Sequence, residues 1–278
     1  MKVAITGISG RMGHTLIEAI QQDDRFSLVA AFTQEKSEEK NTRLVENLNL
    51  TPSPLLTHDF SELLAANPEV LIDFSAPQAT LSLLAPSMQV SLPLIIGTTG
   101  FTETQKLEIS KASQTLPIVL APNFSVGVNI TFALVALAAR SLSPDYDAEI
   151  IDAHHRYKVD APSGTALKIG EVIAKERGVN LDKVALFERH GQVGARQGGT
   201  IGFSSIRAGD IVGDHTALFA SDSERLEITH RASSRLTFAK GALHAALWLL
   251  KQKPGLYDMQ DVLGLKTFFT DSVNNLSL

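Results

Sequence analysis

Short apolar runs separated by turn residues fill the first half of the chain: KVAIT at 2–6, LVAAF at 28–32, VLIDFS at 70–75, PLIIGTT at 93–99 and PIVLAP at 117–122. Segments such as RMGHTLIEAIQQ, with helical spacing, lie between them. Continuous apolar strands alternating with helices predict a parallel sheet covered on both faces, the doubly wound α/β arrangement. After Asn123 the pattern changes. NITFALVALAARSL (129–142) reads as a helix, and EIIDAHH (149–155) as a strand. Ala166, Ile169, Gly170, Ile173 and Ala174 then recur at i, i+3, i+4, i+7 and i+8, an amphipathic helix closed by Gly178. From 199 to 230 the pattern predicts strands joined by Gly-Asp turns, followed by a helix over 238–252. The plan is a nucleotide-type α/β domain and a second, α+β domain on a mixed, mostly antiparallel sheet.

Composition narrows the chemistry. A chain of 278 residues, 44% hydrophobic and 20% charged, can bury two cores. With a net charge of −5, no general basic field attracts nucleic acid or an anionic membrane, so an acidic ligand must be caught by a local cluster. There are no cysteines, which excludes disulfides, thiolate metal sites and thiol nucleophiles. No secretory signal or membrane-spanning run is visible, and the expected compartment is the cytoplasm.

Strand KVAIT runs into Gly7-Ile8-Ser9-Gly10-Arg11-Met12-Gly13 and then a helix, the order that a dinucleotide pyrophosphate needs. Gly7 permits the tight turn, Gly10 close approach to phosphate, and Gly13 close packing of helix on strand, while the helix start supplies N–H donors. The spacing is G-x-x-G-x-x-G rather than G-x-G-x-x-G, and a ligand-free glycine turn is the plain alternative. An acid after the second strand would bind a ribose 2′-OH and repel a 2′-phosphate. Here Thr33-Gln34-Glu35-Lys36 follows, with no acid first and a lysine within reach, so NADPH and NADH are both expected to serve, with a lean to NADPH. Gly97-Thr98-Thr99-Gly100 and Ala121-Pro122-Asn123-Phe124 fall at later strand ends, where ligands of such sheets collect.

DAHHRYKVDAPSGT (152–165) concentrates His154, His155, Arg156 and Lys158 before a helix start. Adjacent residues at a strand end point oppositely, so the two histidines need not share a job. No metal site is expected: cysteine is absent, and the other histidines are dispersed along the chain. So much positive potential calls for an anion, and free N–H groups at the helix start with the Ser163 and Thr165 hydroxyls form a carboxylate or phosphate receptor. Ser163 or Thr165 could equally be a helix cap. Asp160 is expected to be a structural partner of Lys158. Beside a nicotinamide site this receptor implies hydride transfer to a small acid, with Lys158 or His154 donating the proton.

DAHHRYKVDAPSGTA resembles the segment that marks the 4-hydroxy-tetrahydrodipicolinate (dihydrodipicolinate) reductase family. VAITGISGRMG, DFSAP, GTTGF, APNFSVGVN, GTIGF, IRAGDIVGDH and ERLEITHRASSR are similar to that family's segments in the same order. The resemblance implies an NAD(P)H-dependent reductase of lysine and diaminopimelate biosynthesis with a Rossmann-type domain. By the same resemblance Gly7, Ile8, Ser9, Gly10, Arg11, Met12, Thr33 and Gln34 bind the dinucleotide. Gly97, Thr98, Thr99, Ala121, Pro122, Asn123 and Phe124 hold its nicotinamide end. His154 and Lys158 serve proton transfer, and His155, Gly164 and Thr165 bind the substrate carboxylates. It further implies a discontinuous nucleotide domain, 1–126 with 235–278, around a substrate and oligomerisation domain, 127–234, and a homotetramer. Thr33-Gln34 departs from the acid–base pair of members that use NADH readily, and Tyr157 stands where histidine is frequent. Another small-acid dehydrogenase of this fold, or a nucleotide-sensing regulator, would not need His154 and Lys158 together.

Overall fold

The computed structural model describes residues 1–33 and 53–266. Gln34, Glu35 and Lys36 lie outside the described residues. The elements run β1 (Lys2–Thr6), α1 (Arg11–Gln21), β2 (Ser27–Phe32), β3 (Leu55–Thr57), α2 (Phe60–Ala65), β4 (Val70–Asp73), α3 (Pro77–Val90), β5 (Leu94–Ile96), α4 (Glu103–Ala112) and β6 (Pro117–Leu120). There follow α5 (Val126–Ser141), β7 (Asp147–His154), α6 (Gly164–Glu176), α7 (Leu181–Val184), β8 (Ala185–Leu186), β9 (Ile201–Arg207), β10 (Gly213–Ala220) and β11 (Arg225–Ala232). Last come α8 (Leu236–Leu249), β12 (Gly255–Tyr257) and α9 (Met259–Val262). Contacts divide the chain into two units, Met1–Val126 with Arg235–Leu278, and Gly127–Ser234.

The first unit is a seven-stranded sheet in the order β12-β6-β5-β4-β1-β2-β3. Every pairing is parallel. Its strands are nearly continuous apolar runs because both faces are covered. Val3 and Ile5 pack with Leu16, Ile17, Ala242 and Leu249 on one face, and Ala4 with Leu71, Leu83 and Ile109 on the other. Strand order reverses between β1 and β4, where Thr6 pairs with Asp73, so ligands are expected outside the carboxyl ends of these two strands. Short β3 and β12, each of three residues, extend the sheet; the apolar pattern alone did not reveal them.

The second unit is a five-stranded mixed sheet, β11-β10-β7-β9-β8. β10 is antiparallel to both β7 and β11, whereas β7 and β8 are parallel to β9. Alternation along β7 sends Ala148, Ile150, Asp152 and His154 to one buried face, and along β10 sends Gly213, His215, Ala217 and Phe219 there. Val135 of α5 and Ile169 and Ile173 of α6 pack with the apolar members of that row. The row is therefore hydrophobic at one end and titratable at the other. Two expectations need correction. The strand ends at His154, so His155 already belongs to the turn, in which the Lys158 N–H donates to the His155 carbonyl over 3.1 Å. Gly209, at φ +50, turns β9 toward β10, but β10 and β11 are joined through Ser221–Glu224, closed by the Ser221 N–H on the Glu224 carbonyl at 2.9 Å, with no glycine.

Candidate functional site

In the first unit the glycine loop leaves β1 and enters α1 at Arg11, an exposed residue, with Gly10 as N-cap. Gly7 has φ +68, and a Cβ there would meet the Phe74 carbonyl oxygen at 2.4 Å. A Cβ on Gly13 would lie 2.4 Å from the Gly7 carbonyl oxygen, so α1 can approach the loop only without a side chain. A cavity of about 330 Å³ opens over the loop, lined by Gly7, Ile8, Ser9, Gly10, Thr33, Phe74 and Ser75 among others. This naked cradle at a helix N-terminus fits a dinucleotide pyrophosphate.

The structure sorts the sequence-derived candidates here. Gly7, Ile8, Ser9, Gly10 and Thr33 line one cavity, whereas Met12 is half-buried against the core. Gly97 lies against Phe74, whose ring atom a Cβ would meet at 2.2 Å, and the Gly97 N–H donates to the Asp73 carbonyl at 2.8 Å. Thr98 is buried and Thr99 exposed. Ala121 and Phe124 are core residues, with the Phe124 ring 5.6 Å from that of Phe74. Pro122 is exposed, and Asn123 Oδ1 accepts the Ser125 N–H at 2.9 Å. Phe74 was not picked out from the sequence; the neighbouring Gly97 is the trace it leaves there.

In the second unit, His154 is buried at the end of β7 with Nδ1 3.0 Å from Asp152 Oδ2. The Ser205 hydroxyl donates to Asp152 Oδ1 at 2.6 Å and Arg207 Nη1 to Oδ2 at 3.0 Å. Burial by itself would raise the Asp152 carboxyl, but the His154, Ser205 and Arg207 hydrogen bonds outweigh it and hold it well below the usual carboxylate range. With Nδ1–H given to the carboxylate, Nε2 is the nitrogen of His154 left for chemistry. It faces Gly213, where a Cβ would stand 3.1 Å away, so the glycine keeps that side of the ring clear.

His215 stacks edge-on to His154, centroids 5.1 Å apart, and its Nε2 lies 3.0 Å from the Ser163 hydroxyl. Burial, reinforced by His154, pushes His215 down to about 3, so this ring is neutral at physiological pH. Its Nδ1 is buried without a hydrogen-bond partner. An orphaned lone pair costs less than an orphaned N–H, so the proton sits on Nε2 and donates to Ser163. Ser163 Oγ also accepts the Ala166 N–H at 3.2 Å as N-cap of α6, which leaves its own O–H to donate elsewhere. Gly164 is exposed at the first turn, and Thr165 is half-buried beside it.

Lys158 donates to Asp160 Oδ1 at 2.8 Å, the pairing expected for that aspartate. Arg207 Nη2 ties the Asp160 carbonyl at 2.7 Å, anchoring the turn that carries His155 and Lys158. Asp152, His154 and His215 offer ligand atoms within 4.8 Å of one another, the spacing of a cation site. Both Asp152 oxygens are already taken, one by a guanidinium that would repel a dication, and the carboxylate instead hydrogen-bonds His154, whose ring meets His215 edge-on. Neither Asp152 nor His215 is among the residues that the sequence pointed to. The alternation of β7 and β10 into polar residues at inward positions is the signal that could have found them.

Two family models match the chain: "Dihydrodipicolinate reductase, N-terminus" over residues 1–124 and "Dihydrodipicolinate reductase, C-terminus" over 127–263. A 4-hydroxy-tetrahydrodipicolinate reductase of Nitrosomonas europaea is 51% identical over 266 residues, 96% of this chain and 99% of the relative. One of Hahella chejuensis is 50% identical over 265 residues, 95% of this chain and 99% of the relative. Among solved structures, a dipicolinate-bound dihydrodipicolinate reductase from Paenisporosarcina sp. TG-14 superposes with a TM-score of 0.74 at 26% identity, covering 93% of this chain and 97% of that one.

Proposed function

The chain belongs to the dihydrodipicolinate reductase family, and from that premise we propose that it reduces 4-hydroxy-tetrahydrodipicolinate to tetrahydrodipicolinate with a nicotinamide dinucleotide. Water is lost in the reaction, a step of lysine and diaminopimelate biosynthesis. The observation that carries the reading is the buried Asp152–His154 pair at the end of β7, joined through His215 and Ser163 to the start of α6. A proton-handling imidazole next to a bank of anion donors suits reduction of a dicarboxylate.

The roles divide as follows. In the first unit the bare backbone from Gly7 to Met12 takes the pyrophosphate, and the loops at Gly97–Thr99 and Ala121–Phe124 take the nicotinamide end. A bound reduced nicotinamide supplies hydride to the conjugated ring carbon of the substrate. In the second unit His155, the α6 N–H groups at Gly164 and Thr165, and the Ser163 hydroxyl hold the two carboxylates. The substrate hydroxyl leaves with a hydrogen of the neighbouring ring carbon as water, which makes the ring conjugated. Once hydride has been added, His154, oriented by Asp152, or Lys158 delivers a proton to the carbon next to the one reduced. Thr33, a buried and uncharged residue lining the cavity, offers no carboxylate to repel a 2′-phosphate, so NADPH is preferred modestly over NADH. Leu226 of β11 and Ile206 of β9, large apolar side chains left exposed on the second sheet, favour a homotetramer joined through that sheet. No helix among the described residues is long and apolar enough to cross a membrane, and a cytoplasmic location is part of this proposal.

The test is oxidation of NADPH or NADH, followed at the nicotinamide absorbance, with the product of the pathway's synthase generated in situ. Turnover dependent on that product supports the reading. Turnover with aspartate semialdehyde alone, or none with either, contradicts it.

A further inference from the structure

Asp73, the last residue of β4, is 1% exposed. Oδ1 accepts hydroxyl hydrogen bonds from Thr6 and Ser75, and Oδ2 from Thr80 and, at 3.0 Å, Thr98. Thr98 Oγ1 in turn accepts the Ser75 N–H at 2.9 Å. Two hydroxyls meet each oxygen, so the carboxylate is surrounded by neutral donors on all sides. It makes no ion pair among the described residues. The four donors come from the end of β1, the turn after β4, the first turn of α3 and the loop after β5, the segments that surround the switch point. Burying an uncompensated charge is expensive, and four neutral hydroxyls spread it without cancelling it. A packing role would be served by an apolar residue, so the retained charge calls for something that uses it.

Resting on the dinucleotide reading above, we propose that Asp73 is a positioning residue of the cofactor site whose buried charge favours the oxidised nicotinamide over the reduced one. Hydride loss turns a neutral ring into a cation. A fixed anion beneath the carboxyl ends of β1 and β4 stabilises that cation without reorganising, because its hydroxyl donors are set before the reaction. The same carboxylate ties the Gly97–Thr98 loop to the start of α3, so the charge and the shape of the crevice are set by one group.

The experiment compares dissociation constants of NADPH and NADP⁺ for the full-length protein and three variants. Asp73→Asn keeps the size and removes the charge; NADP⁺ should weaken about tenfold more than NADPH. Thr80→Val removes one hydroxyl and keeps the charge; both forms should change by the same factor. Ser75→Lys sets an ammonium beside Oδ1 and leaves the buried aspartate in place. It should shift the ratio in the same direction as Asp73→Asn, which keeps the test available if Asp73→Asn does not fold. Equal weakening of both forms in the charge-altering variants overturns the proposal and leaves the dinucleotide reading standing. Failure of the unaltered protein to bind either form overturns both.

Discussion

Asp73 and Asp152 are each buried to 1% exposure near the carboxyl end of a strand, yet they are surrounded in opposite ways. Asp73 is held by four neutral hydroxyls, Asp152 by a guanidinium, an imidazole and one hydroxyl. The first arrangement preserves a negative charge, and the second offsets it and uses what remains to orient a proton carrier. The contrast follows the work proposed for the two units: one stabilises a cofactor that becomes a cation, the other receives an anion and handles a proton. Burial alone therefore does not tell what a carboxylate does; the charge of its donors does.

The largest effect that would break this division is on turnover. Lys158→Ala should lower kcat by about 10² to 10⁴ with little change in substrate KM, because a general acid acts on charge that appears in the transition state. Steady-state rates check this, and an unchanged kcat would remove Lys158 from the chemistry.

Next in size is the stability of the two aspartate sites. Asp152→Asn leaves the half-buried Arg207 guanidinium beside a neutral group, and should cost about 2–3 kcal/mol in urea unfolding at neutral pH, the scale of a hydrogen bond to a charged group. Asp73→Asn turns one acceptor oxygen into an NH2 donor, so two of the four hydroxyls must rotate to accept; no charge is left unpaired, and the cost should be only about 1 kcal/mol, the scale of an uncharged hydrogen bond. The Asp152 carboxyl is held low in the fold, so its contribution is fully present above the unfolded carboxylate range and is lost as pH falls through the folded value. The difference between the unaltered protein and Asp152→Asn should therefore shrink in acid. Equal losses for the two variants would erase the contrast.

A smaller effect belongs to His215. Its folded value of about 3 lies below the value of about 6.5 expected in the unfolded chain. Between those limits only the unfolded chain takes up the proton, so stability declines as pH falls, by at most about 1.4 kcal/mol per pH unit from this group. His215→Gln should flatten the slope of stability between pH 6 and 4, about two units of that window, in denaturant titrations. The smallest is Thr33→Glu, which should move preference from NADPH toward NADH through repulsion of the 2′-phosphate. A protein that already used NADH more than about tenfold better than NADPH would contradict the reading of Thr33.

Much of this was legible in the sequence, for reasons visible in particular residues. β1, β2 and β4 to β6 announce themselves as apolar runs because both faces of the sheet are covered, and α6 by its row from Ala166 to Ala174. Gly7 and Gly13 are required by backbone approaches of 2.4 Å, which is why the loop could be recognised. Three-residue β3 and β12 were not legible, since segments so short are built by pairing with a neighbour rather than by their own pattern. The pairing of His215 with His154 was hidden for a related reason: 61 positions separate them, and only the antiparallel register of β10 on β7, with Asp214 opposite Ala153, brings them together. Asp73 read as one more residue of a strand, because nothing in DFSAP reveals that Thr6, Thr80 and Thr98 converge on it.

Under the proposed function, cofactor and dianion are held by separate sets of residues, and crossed binding titrations probe that separation. With the full-length protein, His155→Ala should weaken pyridine-2,6-dicarboxylate by about tenfold or more at saturating NADPH, the loss of a charge-assisted contact. It should leave the NADPH dissociation constant within about twofold. Gly10→Val should do the reverse. NADPH affinity falling in parallel with dicarboxylate affinity in His155→Ala would contradict the account.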